Sequence, residues 1–160
     1  MSGRQLIFGA VALALSGCNQ NSAIGNDREA ALDPPPSASP IAVADDALKN
    51  VSTGLVKPET LSNADIEAIG GIAGKCVFKL TEVSFPVLVY EPRDGGHIKL
   101  NGTLIPLFRL DEQRFSGGEL RAAVRPLDGS GNAGYGASEL VVVTPGAKDE
   151  LGYHGYAACF

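Results

Sequence analysis

Basic residues are few in this chain, and they never form a long run. The sequence has 13 Lys and Arg against 18 Asp and Glu, which gives a formal net charge of −5 at pH 7. Domains that bind nucleic acid carry a concentrated basic patch, so the composition argues against a nucleic-acid partner. G-x-S-x-G and comparable nucleophile patterns are also missing, so no motif favours an enzyme.

Long apolar runs are scarce as well, and the single clear one lies at the N-terminus. It extends from Leu6 to Leu15, follows Arg4, and is followed by the small residues Ser16 and Gly17. About ten helical residues span roughly 15 Å, half of a bilayer's hydrocarbon core. The pattern therefore predicts a signal peptide over residues 1–17 rather than a membrane span or a short buried helix.

The end of that run, Leu15-Ser16-Gly17-Cys18, resembles the lipobox of bacterial lipoproteins. The resemblance implies cleavage before Cys18, a diacylglyceryl group on its sulfur, and an acyl chain such as palmitate on its amine. Two or three acyl chains hold a protein stably in a membrane. The resemblance also implies a cell-envelope location, and Asn19, standing where Asp would signal inner-membrane retention, favours the outer membrane, facing the periplasm.

Two further cysteines, Cys76 and Cys159, remain once Cys18 is lipidated. An exported chain meets an oxidising compartment, so this pair predicts one disulfide. It would close a loop of roughly 80 residues and contribute on the order of 4 kcal/mol in the chain-entropy model. The alternative is a reactive thiol beside His97 or His154.

The chain after Cys18 divides into two parts by composition. Residues 18–59 are rich in Ala, Asn, Asp, Ser and Pro and show no sustained period, which predicts a disordered tether. A short helix around residues 45–49 stays open, although it would be isolated and marginal. Residues 60–160 are expected to form the folded domain.

The folded domain is predicted to open with one short helix and to continue as strands. Ser62 suits an N-cap, with Asp65 in the first turn and isoleucines following at helical spacing. Asn101-Gly102 between apolar runs predicts a type I′ hairpin, and Pro106 should end the return strand or place it at an edge. Seven or eight short strands predict a mainly β fold, a small antiparallel meander closed into a barrel or a sandwich.

The layout from Cys76 to Cys159 resembles the membrane-anchored inhibitors of c-type lysozyme, which are small β-barrel lipoproteins. Arg114 to Leu120 is similar to that family's Arg-Tyr-Ser/Thr-x-Gly-x-Leu/Tyr segment. The chain departs from the family in two places, with Asp111-Glu112 instead of Ser-Gly and Val124-Arg125-Pro126 instead of Trp-x-Lys-Gly. The resemblance implies a barrel fold and a periplasmic inhibitor of lysozyme.

We therefore expect a lipid-anchored envelope protein with a non-catalytic binding or structural domain and an unidentified envelope partner. A lysozyme inhibitor and an envelope hydrolase are the alternatives, the latter through a carboxylate pair among Glu82, Glu91, Asp94, Asp111 and Glu112. Candidate binding surfaces are the polar loop from Asp111 to Gly118, the strand face with Arg121 and Arg125, and the last strand with Tyr153, His154 and Tyr156. The candidate binding residues are Asp111, Glu112, Arg114, Phe115, Ser116 and Arg125.

No metal site or cofactor is expected from the sequence. Gly129 to Gly134 matches G-x-G-x-x-G, but a β-like run rather than a helix follows it, so a loop is the better interpretation. The surrounding residues also occupy positions 1, 3, 5 and 12 of a calcium-loop pattern, namely Asp128, Ser130, Asn132 and Glu139, with Ala133 where such a loop needs Gly. Whether residues 129–138 bind calcium is left open.

Overall fold

The computed structural model describes residues 37–160, within a compact unit that extends from Pro36 to Phe160. Eight antiparallel strands follow one another in chain order, and the last pairs with the first, so the sheet closes into a barrel. This confirms the predicted mainly β meander and selects the barrel over the sandwich. The strands are β1 (Cys76–Lys79), β2 (Leu88–Tyr90), β3 (Gly95–Leu100), β4 (Thr103–Arg109), β5 (Arg114–Gly117), β6 (Leu120–Ser130), β7 (Gly136–Val143) and β8 (Leu151–Cys159).

Alternation along the strands fills the barrel with side chains. Phe78, Phe115 and Leu140 are fully buried in one continuous core, and Tyr90 packs against Phe115 with ring centroids 5.3 Å apart. Because successive strand residues point to opposite faces, the neighbours of these residues lie on the outer surface. A ligand would therefore bind to the outside of this barrel.

The β3–β4 connection is the predicted tight hairpin. Asn101 and Gly102 both have positive φ, at 46° and 76°, as a type I′ turn requires. Asn is one of the few residues other than Gly that tolerates this region.

The β1–β8 pairing contains the predicted disulfide. Cys76 and Cys159 are directly opposite in the register, and their sulfurs are bonded across 83 residues of sequence. The bond therefore fastens the first strand to the last at the seam that closes the barrel. A free reactive thiol at either position is ruled out by this bond.

Residues 44–58, which we call the cap segment, belong to the folded domain, so the predicted boundary at residue 60 was too late in the chain. Instead of belonging to a disordered tether, they cover one end of the barrel with α1 (Ala44–Leu48) and a 3₁₀ helix (Thr53–Leu55). Ala44 and Leu48, one helical turn apart, are buried in the barrel core together with Val56. The tether prediction was wrong for residues 37–59 because these few apolar residues gain their stability from the barrel rather than from local sequence.

The cap segment bonds to connections that are distant in sequence. The contacts join Asp45 Oδ1 to Glu119 N (3.4 Å), Lys57 N to Asn101 Oδ1 (2.9 Å), Thr53 Oγ1 to Thr144 Oγ1 (3.3 Å) and Val56 O to the Tyr153 hydroxyl (3.0 Å). They therefore reach the β3–β4 turn, the β5–β6 turn, the β7–β8 loop and β8. The signal peptide, Cys18 and the rest of the predicted tether lie outside the described residues.

A second helix, α2 (Asn63–Ala68), packs on the outside of the barrel. Ser62 caps it in a capping box with Asp65, as the sequence predicts. Leu61 and Ile69 at its ends pack against the outward-facing Val77, Val89 and Leu104. The sequence predicted one short helix, and the structure has two α-helices among residues 37–160, neither long nor apolar enough to span a membrane.

The prediction for Pro106 was wrong, because β4 continues through it to Arg109 and lies inside the closed sheet. The main chain of Leu104 bonds to Pro40 and Ala42 rather than to β3. Main-chain groups two residues apart in a strand point to the same side, so an N–H at residue 106 would also point away from β3. Pairing of β4 with β5 begins only at Phe108, so Pro106 falls in a gap where no donor is needed.

Candidate functional site

Three arginines from two strands surround a cleft on the outer face of β5, β6 and β7, which we call the arginine cleft. Arg114 lies on β5, whereas Arg121 and Arg125 lie on β6. The register pairs Arg114 with Ala123 and Ala123 with Val141, so small and apolar residues form the floor between the charges. The cleft has a volume of about 320 Å³, enough for a few side chains of a partner rather than for a large ligand.

The guanidinium groups of the arginine cleft differ in how strongly they are already engaged. Arg125 contacts Glu150 at 3.0 Å and Glu139 at 3.9 Å, and its side chain is half exposed. Arg121 donates only to the main-chain carbonyls of Gly118 and Leu120 and has no carboxylate partner within residues 37–160. Arg121 is therefore the cation best placed to receive an anionic group from outside.

Asp111 organises the turn between β4 and β5. Its carboxylate accepts hydrogen bonds from the main-chain N–H groups of Gln113 and Arg114 and from the Arg114 guanidinium. The Arg114 guanidinium first, and then these N–H groups, hold the pKa of Asp111 below its ordinary range. Asp111 thus orients Arg114 at the cleft, while Glu112 at the tip of the turn is exposed.

The structure separates the six predicted binding residues into four groups. Arg114 and Arg125 lie at the arginine cleft, and Asp111 and Glu112 lie in the adjoining turn. Ser116 lies on the outer face of β5, opposite Arg121 in the register. Phe115 also lines the cleft, but strand alternation places its ring inside the barrel, where its side chain is fully buried.

The cleft also contains residues that the sequence analysis did not select. Glu150 and Val143 come from parts of the chain more than twenty residues after Arg121, and only the β6–β7 register brings Val143 opposite it. The hydrophobic alternation of β7 indicated which residues share a face of the strand. It did not indicate which residues of β6 they would lie opposite. The spacing of Arg121 and Arg125 was the one local signal for this site.

Three other predicted groups lie together, away from the arginine cleft. His97, Glu91 and Asp94 line a separate pocket of about 210 Å³ with Lys75, which contacts Glu91 at 3.6 Å. Burial first, and then the charge of Lys75, lowers the pKa of His97. His154 is exposed and lies 3.8 Å from Glu139.

The glycine-rich segment is a hairpin end rather than an independent loop. Gly131 N donates to Tyr135 O, which closes the β6–β7 turn, and Ala133 N donates to the Glu82 carboxylate. Glu139, predicted to hold the last calcium-loop position, faces Arg125 and His154 instead. Within residues 37–160, no group of three or more metal-binding side chains is assembled.

Comparison with known proteins gives one family. The model of a family described as a domain of unknown function, DUF6692, matches residues 14–160, nearly the whole chain. No curated protein and no solved structure matches the chain.

Proposed function

The chain belongs to the DUF6692 family, and we propose that it is a lipid-anchored cell-envelope protein whose barrel binds an envelope partner without catalysis. The binding site in this proposal is the arginine cleft. One observation supports it above the others: Arg121, with no carboxylate partner within residues 37–160, lines one cleft with two further arginines over an apolar floor.

Arginine suits such a site because its planar guanidinium binds a carboxylate through two parallel hydrogen bonds. Arginines beside apolar surface are also among the residues that contribute most to protein interfaces. The side chains of Arg125 and Glu150 are each about half exposed, and an exposed pair of this kind is worth no more than about 1 kcal/mol. Arg125 can therefore exchange Glu150 for a carboxylate on a partner at little cost.

The lipid anchor in this proposal is supported by the Leu15-Ser16-Gly17-Cys18 pattern. Expression of the full chain in a bacterium with labelled palmitate tests it. We expect label in the membrane fraction, and loss of both label and membrane association in the Cys18→Ser variant. A Cys18→Ser chain that is still cut and still sediments with membranes would contradict the anchor.

The binding site can be tested by photo-cross-linking in intact envelopes. A photoreactive residue replaces Ala123 at the cleft floor, and the matched control carries it at the exposed Lys148. We expect a discrete cross-linked product at position 123 that falls at least tenfold in the Arg121→Glu variant, because a like charge facing a partner's carboxylate costs several kcal/mol, and tenfold corresponds to about 1.4 kcal/mol. Equal products at positions 123 and 148, or none at 123, would refute the site.

Inhibition of c-type lysozyme is the second candidate function. It is favoured by an exposed acidic residue, Glu112, at the tip of a turn that Asp111 holds in shape. A titration of c-type lysozyme with the disulfide-bonded chain from Asn19 onward tests it, with inhibition expected to saturate near one equivalent and to weaken with salt. Glu112→Ala should weaken inhibition if the tip contacts the enzyme, and an unaffected lysozyme rate would remove this candidate.

A further inference from the structure

A second concave surface, which we call the apolar groove, lies on the outer face of β1. It has a volume of about 410 Å³ and is enclosed by α2, the β1–β2 loop and the β6–β7 turn. Its lining includes Ile66 of α2, Val77 of β1, Tyr135 of the β6–β7 turn and the C-terminal Phe160. Among the described residues that line it, Lys79 has the only charged side chain, and its ammonium lies 5.1 Å from the centre of the Tyr135 ring.

The rim of the apolar groove presents large apolar side chains to solvent. Val83 is 95% exposed, Phe85 is 50% exposed and Phe160 is 58% exposed. Such exposure clustered at one groove, rather than scattered singly, is typical of an interaction surface. None of these three side chains belongs to the barrel core.

The loop that carries Val83 is fixed in place with its charged residue turned away from the groove. The Ser84 hydroxyl bonds to the main chain of Thr81, and Lys79 Nζ donates to the Glu82 carbonyl at 2.7 Å. The Glu82 carboxylate accepts a hydrogen bond from Ala133 N at 2.8 Å. The loop therefore holds Val83 outward as an apolar tip whose neighbouring carboxylate is already occupied.

The chain leaves the barrel beside this groove on its way to the predicted anchor. Ser39 N donates to the Asp65 carboxylate at 2.6 Å, and Asp65 lies on α2 next to Ile66, which lines the groove. The described chain thus begins against the helix that forms one wall of the groove. The roughly twenty residues from Cys18 to Ser37 cannot span more than about 65 Å in any conformation.

We propose that the apolar groove rests on the lipid surface of the membrane that holds Cys18, with Val83, Phe85 and Phe160 at the acyl–headgroup boundary. This rests on the lipid anchor of the proposed function. Apolar and aromatic side chains with a single lysine among them are the composition of membrane-interface contacts. A tether raises the local concentration of the domain at the membrane. A patch that is too small to bind lipid by itself can then stay bound. Lipid contact at β1 leaves the arginine cleft free, because β7 and β8 separate β1 from β6.

The test replaces the native anchor so that it does not depend on Cys18. A chain from Asn19 onward, which includes the whole compact unit, carries an N-terminal histidine tag and is held on phosphatidylethanolamine/phosphatidylglycerol vesicles containing a nickel-chelating lipid. A polarity-sensitive fluorophore is attached through Val83→Cys, and the matched control carries it through Lys148→Cys. Cys76 and Cys159 are consumed by the disulfide, so each variant offers one reactive thiol.

We expect blue-shifted emission at position 83 on vesicles, with quenching by a bilayer-embedded quencher at least threefold stronger than at position 148. Imidazole, which releases the tag, should reverse both effects, and adding Phe85→Asp should remove most of the quenching. Equal quenching at positions 83 and 148 would overturn lipid contact. A blue shift that appears without vesicles and grows with protein concentration would also overturn it, because a second copy would then fill the groove. Failure of Cys18 to incorporate palmitate would instead count against the anchor alone.

Discussion

Replacing Asp65 by Asn is expected to destabilise the domain by about 3 kcal/mol at neutral pH, because removing one partner of a buried ion pair leaves the other charge uncompensated. Asp65 is fully buried, and its carboxylate lies 2.8 Å from the ammonium of Lys99, whose side chain is 13% exposed. It also accepts main-chain hydrogen bonds from Ser39 at 2.6 Å and Ser62 at 2.8 Å. Asparagine fills the same volume but offers one acceptor oxygen to three donors.

The pH dependence gives this prediction a specific signature. Burial by itself would raise the pKa of Asp65, but the hydrogen bonds from Lys99, Ser39 and Ser62 outweigh it and hold the pKa far below its ordinary value of 3.8. The unfolded chain therefore takes up the proton first as the pH falls. The stability that Asp65 contributes is complete above the unfolded value and is lost progressively below about pH 4.

Urea unfolding followed by far-ultraviolet circular dichroism measures the effect, since the chain has no Trp. The difference in stability between the parent chain and the Asp65→Asn variant should be constant above about pH 5 and shrink below pH 4. Glu67→Gln, exposed on the same helix, is the matched control and should change stability by less than about 0.5 kcal/mol. A cost below about 1 kcal/mol for Asp65→Asn, or a cost that does not change with pH, would refute the reasoning.

Three further variants test how the barrel is closed and capped. Leu48→Ala should lower the free energy of unfolding in urea by about 2–5 kcal/mol, because it opens a cavity between the cap segment and the core. An unchanged free energy of unfolding would mean that Leu48 is not part of the core. Replacing Cys76 and Cys159 by Ser should lower stability by about 4 kcal/mol, as loss of a long closed loop predicts, and the oxidised and reduced parent chains should differ in the same direction. Gly155→Ala should lower the melting temperature and loosen the β1–β8 seam in hydrogen exchange, because a Cβ there meets the Lys79 carbonyl; an unchanged melting temperature would contradict this close approach.

The strand order could be predicted from the sequence because the necessary signals were local. Asn101-Gly102 set the tightest hairpin, and the apolar alternation around Phe78 and Leu140 set which faces would be buried. The two cysteines left after the lipobox indicated the pairing that joins the first and last strands. The choice between a barrel and a sandwich needed the structure, because it depends on the pairing of the first strand with the last along its whole length.

The cap segment and the arginine cleft could not be predicted in the same way. Leu48 and Val56 each follow only one other apolar residue in a polar stretch, and only the barrel end to which they dock makes them core residues. The cleft depends on the register between strands, which decides that Arg121 lies opposite Val143. The polar residues on both sides of Phe115 indicated a binding surface, and they gave no sign that alternation turns its ring into the barrel core.

The position of the cap segment at the start of the folded chain sets an order of events during synthesis. It is made before any strand, yet its partners include Thr144 on the β7–β8 loop and Tyr153 on β8. Ala44 and Leu48 therefore stay without their burial site until nearly the whole chain has emerged, and long-range closure of this kind makes folding slow. The part of the domain that is made first is among the last to reach its place.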